Sequence, residues 1–374
     1  MLLSTAKRRV RLSMIVLMTC FSYFVDWNAL AQNASPRKHH NETFVVMFRD
    51  VNNNLYHTLI WHIPTLMRVA TQHTLHPNYS TLIFVDGMGG GPFLELYSLL
   101  LGYKRVVVKS ESPDDLGLMC ASGKTDWTEE QIFYSGNVPC VLIPHSFSPM
   151  AQVHGVPRTE SELRSYVPEI YSLRVLLREK LCFDATDRTS QIVFIDRDSG
   201  SRGISNKEDV IRALSTFHRE VVVARLETLS LTEQADMFCN AGVIVGMHGA
   251  GFTWLLAASS GSSIIEIFPY GWADPCYRNI ARVAGVTYFP VQNTKKEYHN
   301  ESEHIGRSGV TRLDTEWLHE PLRAALLVST NSGAHFSPPC KDVSILKTPV
   351  PTGFPCDYIF DRITGEKIFV EHSA

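Results

Sequence analysis

Residues 241–269, AGVIVGMHGAGFTWLLAASSGSSIIEIFP, constrain the fold of this chain more than any other stretch. The first run, 241–247, is rich in Val and Ile and shows no polar alternation, which suits a strand buried on both faces of a parallel sheet. The turn His248-Gly249-Ala250-Gly251 follows. Residues 252–258 are apolar and short, as in a buried helix, and 262–268 form a second β-branched run that stops at Pro269. Strand, glycine turn, helix and strand in that order make a parallel unit, so an α/β chain is expected. Glycines let a ligand approach the backbone, and the first amides of a helix favour a phosphate. Gly249, Ala250 and Gly251 are therefore candidates to hold a phosphate, with His248 donating to one of its oxygens. Glu266, towards the end of the second run, is placed to accept from ribose hydroxyls. The competing readings are a histidine bonded to turn backbone and a glutamate in a salt bridge. Gly246-x-x-Gly249-x-Gly251 imitates a dinucleotide fingerprint only loosely, because the glycine spacing differs.

The same alternation runs through most of the chain. Strands are expected at 44–48, 81–86 and 105–109, with a helix over 55–73 that Pro64 interrupts and another opening at Pro92 after the loop GMGGG. Asn52-Asn53-Asn54 serves as turn and helix cap. Residues 110–137 read as loop, 138–143 as an apolar strand and 160–181 as a helix. A second α/β domain then begins with the strand QIVFI at 191, followed by the polar loop 196–203 and a capping box, Ser205-x-x-Glu208. Further strands are expected at 220–224 and 286–291, and helices at 232–240, 276–284 and 313–328. Residues 331–374 are proline-rich and read as an irregular tail with one short hairpin. The chain thus divides into a targeting segment (1–30), a stem (31–43), an N-terminal Rossmann-like domain (44–185), a C-terminal Rossmann-like domain (186–330) and the tail, with a cleft between the two domains.

Open α/β sheets bind ligands at the carboxyl ends of their strands. Arg197 and Arg202 follow the strand QIVFI and so fall at that edge, where guanidinium forks match phosphate oxygens; the alternative is loop surface charge. Asp196-x-Asp198 is a weak match to the carboxylate pair of metal-dependent sugar-nucleotide transferases, and no metal is expected. His57 opens the first long helix among asparagines and aromatics, and its neutral-range titration suits a general base. A packed core or surface histidine fits equally.

Lys7, Arg8, Arg9 and Arg11 precede the apolar run 12–25. As a helix that run covers about 21 Å, against a hydrocarbon core of roughly 30 Å. It reads as an uncleaved signal anchor or as a signal peptide cut near Ala29-Leu30-Ala31. Either puts the remainder in the lumen of the ER or Golgi, as a single-pass type II membrane protein or as a soluble lumenal one. Four N-x-[ST] sequons, at Asn33, Asn41, Asn78 and Asn300, agree with that compartment. Of the 8 cysteines, Cys20 falls in the targeting run, and one or more disulfides are expected among the rest with the connectivity open. A net charge of −3 and the lack of a basic block after the N-terminus argue against nucleic acid as a partner.

VGMHGAGFTWLLAASSGSSIIEIFP, FIDRDSGSRGISNKEDV and NNLYHTLIWHIPTL resemble the signature blocks of glycosyltransferase family 61. FVDGMGGGPFLELYSLL, PCVLIPHSFSP and CYRNIARVAGVTYFPV fit the same family, in the same order, over residues 44–330. Animal members transfer N-acetylglucosamine to EGF-domain Ser/Thr or to O-mannose, and plant members include β-1,2-xylosyltransferases of N-glycans. The resemblance implies a GT-B fold and an inverting, metal-independent reaction. The implied donor is a UDP-sugar, UDP-GlcNAc favoured over UDP-xylose, and the implied acceptor is a glycoprotein or glycan. It gives Arg197, Arg202, His248, Gly249, Ala250, Gly251 and Glu266 to the donor, Asn54 and Asp86 to substrate contact, and His57 to deprotonation of the acceptor. Two departures stand out: Trp61 and His62 occupy the positions where relatives carry an acid after the helix histidine, and Lys207 stands where an acid is common. A β-1,2-xylosyltransferase and a catalytically silent glycan-binding protein are the other readings.

Overall fold

The computed structural model describes residues 43–108, 131–135, 138–143, 168–182, 191–197, 202–217, 220–270, 276–293, 299–300, 309–330, 357–360 and 367–370. The targeting segment, the sequons at Asn33 and Asn41, Asp198, Cys120, Cys340 and Cys356 lie outside the described residues. Among those residues no helix is long and apolar enough to cross a membrane. The chain forms two compact units, one of Met1–Asn53, His62–Ser148 and Pro168–Ser172, the other of Asn54–Trp61, Pro149–Val167 and Leu173–Ala374.

The first unit is built on a sheet of β1 (Thr43–Met47), β2 (Ser80–Phe84), β3 (Arg105–Val108), β4 (Gln131–Ser135) and β5 (Val138–Ile143), in the order β3-β2-β1-β5-β4. β1 runs parallel to both β2 and β5, and β2 parallel to β3. β4 is antiparallel to β5 and lies in a stretch expected to be loop. Val45, Val46, Met47, Leu82, Ile83 and Phe84 are all buried, which is why these strands read as continuous apolar runs. A single turn of π-helix, His57–His62, which up to Trp61 belongs to the second unit, leads into α1 (Ile63–Gln72), with Pro64 in its first turn. Proline has no N–H to give to the preceding turn, and the wider turn in front of it absorbs that loss. α2 (Glu95–Leu101) follows the glycine loop.

α3 (Pro168–Leu181) connects to the second unit, a sheet of β6 (Ile192–Ile195), β7 (Val221–Ala224), β8 (Val243–Met247), β9 (Ser263–Phe268) and β10 (Thr287–Gln292). Its order is β10-β9-β8-β6-β7 and every pair is parallel. Numbered within the unit, the order is 2-1-3-4-5, so the winding direction reverses between β6 and β8. α4 (Lys207–Ser215), α5 (Leu231–Asn240), α6 (Cys276–Ala284) and α7 (Glu316–Thr330) accompany it. Val210 and Leu214 of α4 and Leu318, Leu322 and Ala325 of α7 join Phe194, Val243, Val245, Ile265, Ile267 and Phe289 in one core. Two short antiparallel pairs complete the chain: β11 (His299–Asn300) with β12 (Val310–Thr311), and β13 (Asp357–Phe360) with β14 (Lys367–Val370), the hairpin expected in the tail.

Two local expectations need correction. Ser205-x-x-Glu208 makes no capping box: α4 is capped at Asn206 without a side-chain bond. The Asn206 side chain instead exchanges two hydrogen bonds of 2.9 Å with the backbone of Leu313, a tertiary tie that outbids the local cap. The capping box of this unit is Ser230-x-x-Glu233, at the start of α5. The element after the glycine turn is a 3₁₀-helix, Ala250–Leu256, rather than an α-helix. Its trailing carbonyls are taken by α3: Arg174 donates to Leu256 and Ala258, and Arg178 to Ala257. Cys182 and Cys239 form a disulfide between the end of α3 and α5.

Candidate functional site

Arg197 follows β6 by two residues and His248 follows β8 directly, so both stand at the carboxyl ends of the two strands where the winding reverses. That is where open α/β sheets take ligands. Arg197 and Arg202 each donate from Nη1 to the backbone carbonyl of His248, at 3.2 and 3.1 Å. Arg202 has a φ of +57°, in the left-handed region that few non-glycine residues adopt. Such a conformation costs about 1–3 kcal/mol and concentrates at functional sites. The two guanidinium groups, the turn and the start of the 3₁₀-helix therefore lie together.

Gly249 has an extended backbone and needs no glycine for its own conformation. A Cβ there would instead fall on Nη1 of Arg197, so the missing side chain is what lets the guanidinium lie against the turn. Gly251 leaves room in the same way for the Leu226 side chain.

Glu266, expected to accept from ribose hydroxyls, is engaged within the sheet. It sits inside β9, in register with Gly246 of β8 and Pro290 of β10, and is fully buried. Its Oε1 lies 2.5 Å from Nδ1 of His248, and Tyr288 donates to its Oε2 at 2.6 Å. A buried carboxylate needs such partners. Glu266 thus orients His248, as a carboxylate behind a functional imidazole does, by fixing one ring nitrogen. The His248 ring also meets Phe268 at 5.5 Å and Tyr277 at 4.8 Å between centroids. Burial first, then the nearby negative charges, Glu266 among them, push the Tyr277 phenol well above its ordinary 10.0, with Arg202 opposing. Tyr277 and Tyr288 escaped the sequence reading because only the strand and helix packing brings them to Glu266 and His248.

The segment carrying His57 belongs to this second unit. Tyr56 meets Tyr277 edge to face at 5.8 Å, and the half-buried His57 ring packs on Trp61 at 4.3 Å. Asn54 Oδ1 accepts from the Tyr56 amide at 2.9 Å and so caps the helix start, a structural duty beside the expected contact with substrate. Asp196 is 5% exposed, and its Oδ2 accepts from Lys207 at 3.1 Å and Arg225 at 3.2 Å. Two cations on one oxygen make it an ion-pair centre. No cluster of potential metal ligands occurs among the described residues.

Asp86 belongs to the first unit and is likewise occupied. Arg49 donates to it from its amide, Nε and Nη2, and the Met88 amide adds a fourth bond. A carboxylate has about four acceptor positions, and these four bonds tie Asp86 to Arg49 and the Met88 amide. Burial pushes its pKa up, but the bonds from Arg49 and Met88 and the Arg49 charge outweigh this and hold it below 3.8. Asn78 is exposed in the turn Pro77–Tyr79.

The family model described as Glycosyltransferase 61 matches residues 25–265, more than half of the chain. EGF domain-specific O-linked N-acetylglucosamine transferase of Bos taurus is 28% identical over 117 residues, 30% of this chain and 22% of that protein. Its Drosophila melanogaster counterpart is 27% identical over 141 residues, 37% of this chain and 27% of that protein. Protein O-linked-mannose beta-1,4-N-acetylglucosaminyltransferase 2 of Takifugu rubripes is 27% identical over 254 residues, 63% of this chain and 41% of that protein. The chain's matches thus span less than half the length of these relatives.

Proposed function

Because the chain belongs to glycosyltransferase family 61, we propose that it transfers GlcNAc, with inversion, from UDP-GlcNAc to a glycoprotein acceptor. The proposed architecture is GT-B, with the two units as its Rossmann-like halves. The proposed setting is the ER or Golgi lumen, with residues 1–30 as a signal anchor; the basic residues before the apolar run 12–25 and the exposed sequon at Asn78 support it.

The observation that carries the reading is the convergence of Arg197 and Arg202 on the His248 carbonyl at the winding reversal of the second sheet. The two arginines and the amides of Gly249, Ala250 and Gly251 bind the diphosphate. His248, whose Nδ1–H is taken by Glu266, donates from Nε2 to a phosphate oxygen in its imidazolium form. As the sugar–phosphate bond breaks, charge grows on the diphosphate, and fixed cations aimed at it stabilise that charge. This is the task a divalent ion performs in metal-dependent transferases. The ion pairing of Asp196 supports a site built on cations instead. His57 is assigned to deprotonation of the acceptor hydroxyl. The two N-acetylglucosaminyltransferases among the relatives support the choice of sugar.

Calorimetry with UDP tests the site. Arg202→Ala and His248→Ala should each weaken binding about 10–100-fold, the worth of a hydrogen bond to a charged group, and EDTA should change neither binding nor turnover. Unchanged affinity in both variants refutes the site, and activity lost to EDTA and restored by Mn²⁺ refutes its chemistry.

A further inference from the structure

Each unit buries a histidine against a carboxylate, and the two sets of partners differ. In the first unit His62 Nε2 lies 2.8 Å from Asp50 Oδ1, and its Nδ1 lies 2.9 Å from Tyr97 Oη. Both ring nitrogens are taken within the protein, and a neutral ring, donating from one and accepting at the other, satisfies them. In the second unit it is the carboxylate that is taken at both ends. Glu266 is fully buried, with Nδ1 of His248 at 2.5 Å from its Oε1 and the Tyr288 hydroxyl donating to its Oε2 at 2.6 Å. The parallel register builds this row. Glu266 is paired with Gly246 of β8 and Pro290 of β10. His248 stands two residues after the first and Tyr288 two residues before the second, so all three side chains share one face of the sheet.

The charged and titratable groups around the His248 ring come from five elements. The loop after β6 brings Arg197 and Arg202 to the His248 carbonyl. α6 brings Tyr277 to 4.8 Å from the ring, with Cys276 and Arg278 on either side of it in sequence. The segment before α1 brings Tyr56 against Tyr277, with His57 next to it. β9 supplies Glu266 and β10 supplies Tyr288. The arginines oppose further positive charge on the ring, whereas a carboxylate in direct contact favours it. Tyr288 stays a donor through the neutral range: burial first, then Glu266, push its phenol well above 10.0, with Arg278 opposing.

We infer that Glu266 and Tyr288 are positioning residues that make donor binding proton-linked: the diphosphate is taken up together with one proton on Nε2 of His248. This rests on the donor site proposed above. A neutral His248 whose Nδ1–H goes to Glu266 carries a lone pair on Nε2, which would meet a phosphate oxygen as one acceptor meets another. Binding therefore takes a proton from solvent and forms an N–H bond at Nε2. The imidazolium then offsets the Glu266 charge, and the pair presents no net negative charge to the incoming anion. The Tyr288 bond stabilises the carboxylate when that charge is not offset, so it eases loss of the proton.

Calorimetry of UDP binding in two buffers of different ionisation enthalpy counts the protons taken up, over about pH 6 to 9, the range around an imidazole. At the alkaline end the wild-type chain should take up about one proton through His248, with affinity falling about tenfold per pH unit. His248→Gln keeps a side-chain donor and should still bind UDP, but without that proton; the nucleotide's own ionisation is common to both chains and cancels. Glu266→Gln still accepts from Nδ1–H and lacks the charge, so it should move the fall in affinity towards acid by about 1–3 pH units. A carboxylate that only orients the ring would leave the profile in place. Tyr288→Phe should move it towards alkali. Circular dichroism establishes that each variant is folded, and if a buried variant is not, the comparison of wild type with His248→Gln decides alone. Equal proton uptake in those two chains overturns the inference while UDP binding upholds the donor site. So does a Glu266→Gln profile that coincides with that of the wild type. A wild-type chain with no affinity for UDP at any pH overturns the donor site and the inference together.

Discussion

At the scale of single residues, the site depends on a side chain that is not there. A methyl group at Gly249 would displace the Arg197 guanidinium from the turn. The obstacle is the tip of a flexible arginine, so folding should tolerate it. Gly249→Ala should leave the melting temperature almost unchanged while weakening UDP binding about tenfold, or about 1.4 kcal/mol; calorimetry and thermal denaturation on one preparation separate the two effects. Position 249 announces itself in the sequence because HGAG follows an apolar run. So do Arg197 and Arg202, because a polar loop after a buried strand ends up at the sheet's binding edge. The duty of Glu266 could not be read that way. Its partners His248 and Tyr288 are 18 and 22 residues distant along the chain, and only the parallel register of β8, β9 and β10 brings them to it. Asp86 and Asn54 were legible as polar residues in the right segments, but their hydrogen bonds give them to the protein's own backbone and to Arg49.

At the scale of elements, continuous runs of Val, Ile and Phe marked the strands that are buried on both faces. β4 escaped because QIFYS, the antiparallel edge of its sheet, mixes polar and apolar positions and is short. The false capping box has an equally physical cause, since Asn206 is claimed by Leu313 across 107 residues. The sequence predicts one or more disulfides with the connectivity open, and the structure shows Cys182–Cys239. It matters because α3 carries Arg174 and Arg178, which close the trailing end of the 3₁₀-helix behind the glycine turn. Closing a loop of 57 residues should stabilise the chain by about 4 kcal/mol in the chain-entropy account. The double variant Cys182→Ala/Cys239→Ala should show that loss in urea unfolding monitored by circular dichroism, and a loss under about 1 kcal/mol would show that the two helices are held without it.

At the scale of the whole molecule, both units obey one rule: each sheet reverses its winding beside its own first strand, and each reversal carries charged side chains with fixed partners. For the second unit the alternation of strands and helices made this legible. For the first, Asp50 and His62 are separated by 12 residues and a strand-to-helix turn, and nothing in their spacing declares the pair. The buried tyrosines carry a consequence for alkaline solution. Burial raises the Tyr103, Tyr277 and Tyr288 phenols above 10.0, and Glu266 raises the last two further. A group whose folded pKa is raised contributes stability in full below its unfolded value and loses it as the pH climbs towards the folded one. Absorbance at the phenolate band should therefore rise in two stages, a gradual one from the accessible rings and an abrupt one when these three ionise together as the fold gives way. A single smooth curve through all 13 tyrosines would contradict it. Tyr277, whose ring lies against His248, would thus serve as an intrinsic optical gauge of whether the surroundings of that histidine are still assembled.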